Sequence, residues 1–399
     1  MNNLKAGLMR TNCLCWKQFV IVILCIVFVS FHLLYKIGNQ FGSERIKLCL
    51  DNKTENSRFD QKSCFTPALY TVDRGDDIIL FDDITEAEIL PTPDRPIFFI
   101  ETSCVRNGLA ALNARQACAI ESAARCNPDR DVFVLFPSQV GFSHSLSSPV
   151  MKSLRSYRNI HFRRVNFRHY SMGTPAEQFF QTDKIFKSRH FIETFSDLLR
   201  YSTLYQFGGI YLDTDTVTQQ CFNDLPANFA GNQDASIANG VLGFRSGGHK
   251  ILKILMKDVC NNFDPNMWGS TGPQAITRTL QKVCNVTKIG DMKPEICSDF
   301  NVLPRSFFYP IHYSSWKSYF DVNLTNVALD ITKNSVVIHV WNKLSKQQTI
   351  LKDFKNETLV KMYGEKMKRK IEHPFGETAY GLIAKKNCPR AYSSSGDLF

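Results

Sequence analysis

Short runs rich in apolar residues alternate with longer segments of helical period through the middle of the chain. We predict strands at residues 97–100, 132–136, 160–165, 210–212, 237–245 and 336–341. Apolar residues at spacings of three or four predict helices at residues 107–125, 150–157, 193–207, 250–261, 273–284 and 359–371. Strands that alternate with helices are typical of an α/β domain with a mostly parallel sheet flanked by helices.

The segments on either side of this pattern differ from it. Residues 73–94 are acidic and poor in helical period, and prolines at positions 91, 93 and 96 mark the end of this stretch. We therefore predict a stem at residues 36–95 and a folded domain at residues 96–384. The polar residues from 385 onwards predict a loose tail over residues 385–399.

Residues 18–35 form an apolar run without Lys, Arg, Asp or Glu. At a rise of 1.5 Å per residue, this run spans about 27 Å, close to the thickness of a bilayer core. A cleaved signal peptide is the alternative, but no small-x-small cleavage site follows. Residues 1–17 carry Lys5, Arg10 and Lys17 and no acid, which predicts a cytosolic tail, a signal-anchor and a lumenal remainder.

Two further features favour the lumen of the secretory pathway. Glycosylation sequons begin at Asn52, Asn285, Asn323 and Asn356. Ten of the 13 cysteines follow the apolar run without a zinc-like spacing, which predicts disulfides of undetermined pairing, with buried free thiols as the alternative. The net charge of +11 is spread along the chain, so with the span and the sequons we expect no nucleic-acid partner.

The candidate chemistry lies directly after the strand at residues 210–212. Asp213 and Asp215 are two apart, and in an extended chain their carboxylates would project on the same side. Two carboxylates repel unless a cation lies between them, and oxygen ligands suit Mg²⁺ or Mn²⁺, which can bridge to a diphosphate. A bare Asp-x-Asp is common by chance. However, Gly208-Gly209 permits a tight turn into the strand, and the carboxyl end of a strand is where open α/β sheets bind nucleotides.

Asp197 and Arg200 are three apart on the helix predicted at residues 193–207, so they share a face. A surface ion pair, worth at most about 1 kcal/mol, is one interpretation. The functional interpretation is that Arg200 donates to sugar hydroxyls or phosphate while Asp197 accepts from hydroxyls.

At this point the sequence resembles a known family. Residues 195–215, FSDLLRYSTLYQFGGIYLDTD, are similar to the donor-site signature of the α1,4-glycosyltransferases with a DXD motif and the GT-A fold. This family includes α1,4-galactosyltransferases, α1,4-N-acetylglucosaminyltransferases and the catalytic domains of some bacterial toxins. Further similar segments, in the same order and within about residues 97–345, are FFIETS (98–103), ESAAR (121–125), IANGVLGF (237–244), WG (268–269) with GPQ (272–274), FYPI (308–311) and HVWNK (339–343).

The resemblance implies a GT-A-like domain and a set of site residues. Asp213 and Asp215 would hold the metal, Mn²⁺ or Mg²⁺, and His339 would be a late metal ligand or, equally, a histidine that belongs to the core. The donor-binding residues that it implies are Phe99, Glu101, Thr102, Ser103, Asp197, Arg200, Asp213, Asp215, Asn239 and Gly240. Trp268 and Trp341 would stack on acceptor sugars or simply pack in the core.

The resemblance also implies a type II Golgi membrane enzyme that transfers a sugar with retention. The expected donor is UDP-galactose or UDP-N-acetylgalactosamine, and the expected acceptor is a glycosphingolipid, which suits a membrane tether. The alternatives are an α1,4-N-acetylglucosaminyltransferase acting on O-glycans and a catalytically inactive lumenal binding protein. No carboxylate pair can be assigned as nucleophile and acid, so we name no catalytic base or nucleophile, and we expect the departing phosphate oxygen to take the acceptor's proton.

Overall fold

The structure is a computed structural model that describes residues 65, 77–92, 96–103, 108–145, 147–352, 355–358, 361–362 and 377–399. The chain divides into two compact units, and the described residues belong to the unit formed by residues 53–67 and 74–399. The predicted cytosolic tail and apolar run, the sequon at Asn52 and most of the helix predicted at 359–371 lie outside the described residues. Within the described part, no helix combines the length and apolarity needed to cross a membrane.

The strands and helices alternate as the sequence predicts. The strands are β1 (Ile78–Leu80), β2 (Ile97–Ile100), β3 (Val132–Phe136), β4 (Gly141–Ser143), β5 (Ile160–Arg164), β6 (Gly209–Leu212), β7 (Thr216–Thr218), β8 (Phe229–Gln233), β9 (Ser236–Phe244), β10 (Asn301–Leu303) and β11 (Val337–His339). The α-helices are α1 (Ala114–Cys126), α2 (Pro149–Leu154), α3 (Phe167–Tyr170), α4 (Glu177–Gln181), α5 (Phe191–Phe207), α6 (Lys250–Asn261), α7 (Pro273–Cys284), α8 (Thr325–Thr332), α9 (Asn342–Ser345), α10 (Ala379–Asn387) and α11 (Pro389–Ser394). Short 3₁₀ helices lie at Lys184–Lys187, Phe222–Asp224, Ile289–Asp291, Arg305–Phe307, Tyr313–Tyr319 and Val322–Leu324.

A seven-stranded sheet in the order β10-β8-β9-β6-β2-β3-β5 forms the centre of the domain. Neighbouring strands are parallel except where β9 runs antiparallel to β6 and β8. The prediction of a mostly parallel sheet flanked by helices is therefore confirmed. The strand predicted at residues 336–341 is shorter than expected and does not belong to the central sheet. As β11, it pairs with β7 in a separate two-stranded sheet.

Both faces of the central sheet are buried, which explains the continuous apolar runs of its strands. Alternate residues of β2 enter different cores: Ile97 and Phe99 pack with α1, whereas Phe98 and Ile100 pack with α5. Helix α1 begins at Ala114, seven residues later than predicted. Its start is fixed by a capping box, in which Asn113 accepts from the Gln116 N–H and the Gln116 side chain accepts from the Asn113 N–H.

The two predicted outer boundaries of the domain are wrong. At the N-terminal side, the predicted stem is folded onto the domain from residue 77, because β1 pairs with β4 and Ile84 is fully buried. At the C-terminal side, the tail expected to be loose continues α10 and forms α11. Buried Ala391 and Phe399 anchor this segment, and residues 350 and 399 exchange backbone hydrogen bonds.

Disulfides connect distant parts of this fold. They join Cys118 to Cys388, Cys126 to Cys221 and Cys284 to Cys297. The prediction of disulfides is confirmed for these six cysteines, whereas Cys260 is a free thiol and Cys49, Cys64 and Cys104 lie outside the described residues. The Cys118–Cys388 bond ties the C-terminal helices to α1, directly behind the central sheet.

Candidate active site

Asp213 follows β6, the middle strand of the seven, at its carboxyl end. The entry to β6 requires glycine, because Gly208 and Gly209 have φ of +70° and +85° and a Cβ on Gly209 would lie 2.4 Å from the carbonyl oxygen of Pro96. After Asp213 the chain turns instead of staying extended: the Thr216 N–H donates to the Asp213 carbonyl at 3.2 Å. The expected extended arrangement is therefore wrong, yet both carboxylates still reach one site.

That site brings Asp213, Asp215 and His339 together, with one ligand atom from each within 4.8 Å of the others. The pairing of β7 with β11 sets His339 opposite Thr216, directly beside the turn. His339 Nε2 lies 3.1 Å from Asp215 Oδ1 and 3.5 Å from Asp213 Oδ2. The Asp213 and Asp215 side chains are 26% and 14% exposed, so a ligand can reach them from solvent.

Neighbouring groups hold the other oxygen of each carboxylate. Asp213 Oδ1 accepts from the Tyr211 hydroxyl at 2.7 Å and pairs with Arg200 at 3.1 Å. Asp215 Oδ2 accepts from the Asn342 N–H at 2.7 Å. The remaining oxygens face His339 Nε2, and two carboxylate oxygens with an imidazole nitrogen are a donor set that fits Mn²⁺ or Mg²⁺.

The charges in this cluster act strongly on one another. Burial would raise the pKa of Asp213, but Arg200 and His339 outweigh it and hold that pKa below its ordinary value. Burial raises the pKa of the neighbouring Asp215, against the opposing effect of His339. Burial would lower the pKa of His339, but the Asp215 and Asp213 carboxylates raise it instead. A bound metal ion would favour the charged form of both carboxylates and so offset the effect of burial on their pKa values.

The proton of His339 bears on its role. Nδ1 accepts from the Trp341 N–H at 3.2 Å, so a neutral imidazole in this arrangement carries its proton on Nε2, facing the two carboxylates. Ligation through Nε2 requires that this proton leaves, and a neutral ring then carries its proton on Nδ1, which opposes the Trp341 contact. The ring therefore supports the carboxylates when no metal is bound and must change its tautomer in order to ligate one.

Asp197 and Arg200 form a buried pair, so the surface interpretation is wrong. They are 7% and 6% exposed and lie 3.5 Å apart. Arg200 donates hydrogen bonds to Ser196 O, Ser196 Oγ and Asn239 O, and it forms ion pairs with Asp197 Oδ1 and Asp213 Oδ1. Arg200 thus links the helix α5 to Asp213.

Asn239 completes this network from β9. Its amide nitrogen donates to Asp197 Oδ1 at 2.7 Å, and the Thr271 hydroxyl donates to Asp197 Oδ2 at 2.7 Å. Gly240 follows and approaches Asp213 so closely that a Cβ there would lie 2.6 Å from Asp213 Oδ2. Asp197, Arg200, Asn239 and Gly240 therefore all lie around Asp213. Their contact with a donor stays a prediction.

The residues predicted at the end of β2 occupy different environments. Phe99 is fully buried in the apolar core, so only its backbone is near the sheet edge. Glu101 is also buried, which raises its pKa, and it accepts from the Ser103 N–H at 2.7 Å and from the Gln116 side chain. Thr102 is buried and Ser103 is exposed at this edge. Their contact with a donor stays a prediction.

The two candidate acceptor tryptophans also differ. Trp341 is half-buried beside His339, with ring centroids 4.3 Å apart, and its indole N–H donates to the Ile311 carbonyl at 3.1 Å. Trp268 is 54% exposed, and Lys343 Nζ lies 5.1 Å from its ring centroid. Trp268 thus offers an open aromatic face near the segment that follows His339.

Sequence reasoning missed several residues that shape this site. Tyr211 had a detectable signal, because it precedes Asp213 by two residues and so shares its face of the strand. Thr271 lies between two short segments of the family resemblance, and Asn342 lies within another, but neither was given a role. Arg115 had no local signal, since it meets Asn342 across 227 positions of sequence, at 3.0 Å.

Two family models match the parts of the chain that form this site. The glycosyltransferase sugar-binding region containing the DXD motif matches residues 113–230, and the α1,4-glycosyltransferase conserved region matches residues 244–366. A solved structure of the galactosyltransferase LgtC with donor and acceptor sugar analogs is 17% identical and covers 62% of this chain and 87% of that one. The TM-score between the two structures is 0.34.

Curated relatives agree with the family models. Human lactosylceramide 4-alpha-galactosyltransferase is 31% identical over 257 residues, which cover 64% of this chain and 70% of that protein. Human alpha-1,4-N-acetylglucosaminyltransferase is 24% identical over 311 residues, or 76% of this chain and 82% of that protein. The chain belongs to the α1,4-glycosyltransferase family, and it is a hexosyltransferase.

Proposed function

We propose that this enzyme transfers galactose or N-acetylgalactosamine from a UDP-sugar to a glycosphingolipid in the Golgi, with retention of the anomeric configuration. The observation that carries the proposal is the cluster of Asp213, Asp215 and His339, set beside the buried Asp197–Arg200 pair. The two carboxylates are partly exposed, so they can bind a divalent cation that is also bound to a nucleotide diphosphate.

The protein residues have separable roles in this proposal. A bound Mn²⁺ or Mg²⁺ would supply Lewis-acid stabilisation of the charge that develops on the leaving diphosphate. Asp213 and Asp215 would hold that ion, each oriented through its second oxygen. Arg200 holds Asp213 and Asp197 in place, because it pairs with both carboxylates while its hydrogen bonds to Ser196 and Asn239 fix the guanidinium. Asp197 Oδ2, which accepts from the Thr271 hydroxyl, keeps a second lone pair that can accept from a donor hydroxyl.

The acceptor hydroxyl must lose a proton during transfer. We assign no side chain to this step, and propose that the departing phosphate oxygen takes the proton in a same-face attack. The exposed ring of Trp268 is the proposed stacking surface for an acceptor sugar. The half-buried Trp341, whose N–H is already bonded, is the weaker candidate of the two.

The names of the relatives support the choice of donor and acceptor. Lactosylceramide 4-alpha-galactosyltransferases match at about 30% identity, which favours galactose and a glycolipid. An α1,4-N-acetylglucosaminyltransferase is the second candidate, because a relative of that name matches over a larger share of this chain.

Independent features support a lumenal location. The three described disulfides are typical of oxidising compartments, and the side chains of Asn285, Asn323 and Asn356 are exposed, as glycosylation requires. With the apolar run at residues 18–35, these features support a type II membrane protein. Removal of N-glycans by an endoglycosidase from intact and detergent-opened membranes tests the orientation: glycans cleaved only after opening are expected.

The activity test uses the full chain in detergent with Mn²⁺. Radiolabelled UDP-galactose, UDP-N-acetylgalactosamine and UDP-N-acetylglucosamine are offered separately with lactosylceramide, longer glycosphingolipids and mucin-type O-glycans. Asp213→Asn is the inactive control. Transfer of galactose or N-acetylgalactosamine to a glycolipid is expected, with loss of transfer in the variant.

Each other outcome contradicts a different part of the proposal. Transfer of N-acetylglucosamine to an O-glycan would replace it with the second candidate. Failure of all three donors with a folded, glycosylated protein would contradict the assigned donors and acceptors together.

A further inference from the structure

Arg115 carries a buried positive charge on α1. It is 8% exposed, and no carboxylate pairs with it among the described residues. Its guanidinium lies 4.8 Å from the ring centroid of Phe320 and 5.4 Å from that of Tyr380. A buried charge is costly unless its hydrogen bonds are satisfied, so the partners of Arg115 identify what it stabilises.

Within the described part of the chain, the guanidinium of Arg115 donates its hydrogen bonds to one segment, residues 342–348. Nη1 donates to Asn342 Oδ1 at 3.0 Å, to the Ser345 carbonyl at 3.1 Å and to Ser345 Oγ at 3.0 Å. Nη2 donates to the Gln348 carbonyl. Four acceptor groups of residues 342–348 thus bind the guanidinium of Arg115.

Residues 340–348 also donate two hydrogen bonds to Asp215. The Val340 N–H donates to the Asp215 carbonyl at 2.9 Å, and the Asn342 N–H donates to Asp215 Oδ2 at 2.7 Å. Ser345 Oγ, which accepts from Arg115, donates in turn to the Val340 carbonyl at 2.6 Å. A continuous path of hydrogen bonds therefore runs from Arg115 to both the backbone and the carboxylate of Asp215.

We infer that Arg115 is a positioning residue that fixes residues 340–348, so that Asp215 presents Oδ1 to a divalent cation beside His339. The inference rests on the proposed metal site. Lysine cannot replace arginine fully here, because its compact ammonium cannot reach Asn342, Ser345 and Gln348 together while lying between two aromatic rings.

The test measures Mn²⁺ affinity directly. The full chain in detergent is titrated with Mn²⁺, and free Mn²⁺ is followed by its electron paramagnetic resonance signal. The variants are Arg115→Met and Arg115→Lys. The matched control is Arg125→Met, because Arg125 also lies on α1 and donates to backbone carbonyls of the C-terminal segment, at Lys386 and Asn387, away from residues 340–348.

We expect Arg115→Met to raise the Mn²⁺ Kd by about tenfold or more, with Arg115→Lys between it and the wild type. Arg125→Met should stay within about twofold of the wild type. The apparent KM for Mn²⁺ should rise in parallel in the transfer assay, and saturating Mn²⁺ should restore part of kcat.

Three results would overturn this inference. The first is a folded Arg115→Met protein with wild-type Mn²⁺ affinity. If Arg115→Met does not fold, Arg115→Lys and Ser345→Ala decide, and wild-type affinity in both refutes the positioning role. A wild-type protein that binds no Mn²⁺ would remove the proposed metal site, and this inference with it.

Discussion

Substitution of Gly240 by alanine would test the geometry of the site most directly. Gly240 lies in β9, where its backbone needs no left-handed conformation, so alanine suits the strand itself. The added Cβ would lie 2.6 Å from Asp213 Oδ2 and 3.3 Å from Tyr309 Oη. The effect of the substitution would therefore act mainly through the contact with the Asp213 carboxylate, because the contact with Tyr309 Oη is much less close.

The structure gives the size of this perturbation. An ordinary contact begins near 3.4 Å, so the carboxylate must move by about 0.8 Å from its 2.6 Å position. Asp213 cannot absorb this shift freely, because Tyr211 and Arg200 hold its other oxygen. A displacement of about 1 Å at a reacting centre costs about 10²-fold in rate, or about 2.7 kcal/mol of transition-state stabilisation. The free energy of unfolding should change by less than about 1 kcal/mol, because the preference for alanine over glycine in a strand, about 0.5–1 kcal/mol, offsets part of the cost of displacing the carboxylate.

The assay compares kcat/KM, Mn²⁺ Kd and thermal unfolding for the wild type, Gly240→Ala and Gly290→Ala. Gly290 is the matched control, because a Cβ there meets no atom within 4 Å. We expect Gly240→Ala alone to lose about 10²-fold in kcat/KM and to bind Mn²⁺ more weakly. A folded Gly240→Ala enzyme within about twofold of the wild type in both quantities would refute the reasoning, since Asp213 would then tolerate displacement.

Three further predictions follow from the described contacts. Mn²⁺ affinity should fall as the pH drops, because the carboxylates raise the pKa of His339 above its ordinary value and a proton on Nε2 competes with the metal. Mn²⁺ titrations between pH 8 and pH 6 measure this effect. An affinity that does not depend on pH would contradict it. Replacing Cys118 and Cys388 with serine should lower the free energy of unfolding by about 2–5 kcal/mol, measured by denaturant titration, whereas an unchanged midpoint would show that the C-terminal helices dock without the bond. Asn239→Asp should place a second carboxylate about 2.7 Å from Asp197. Since the folded state would then raise the pKa of that pair, the loss of stability, about 3 kcal/mol, should be present at pH 8 and diminish toward pH 5, and a melting temperature lowered equally at both values would refute this.

The central sheet was predictable because its information is local. Strands buried on both faces have continuous apolar runs, as in Val132–Phe136, and the helices between them keep a period near 3.6. The C-terminal segment lacked such a signal. Its few apolar anchors, such as Tyr380, Ala391 and Phe399, are spread through polar sequence, and their burial depends on α1 and residue 350.

The candidate site divides in the same way. Asp213 and Asp215 follow an apolar strand and a pair of glycines, so the sequence by itself determined their place at the carboxyl end of a strand. The spacing of Asp197 and Arg200 determined that they share a helix face, but not that this face is buried. Burial depends on which element covers the helix, and here β9 and Thr271 do so.

The tertiary structure alone decided which distant residues meet at Asp215. His339 reaches the carboxylates across 126 positions of sequence from Asp213, through the pairing of β7 with β11. Arg115 reaches Asn342 across 227 positions, and the disulfide pairing likewise follows from the packing of α1 against the C-terminal helices. Sequence periodicity reports only which face of an element is buried. The choice of partner comes from how the elements pack, which is why the sequence determined the sheet and the acidic pair while the packed fold determined the third ligand candidate and its support.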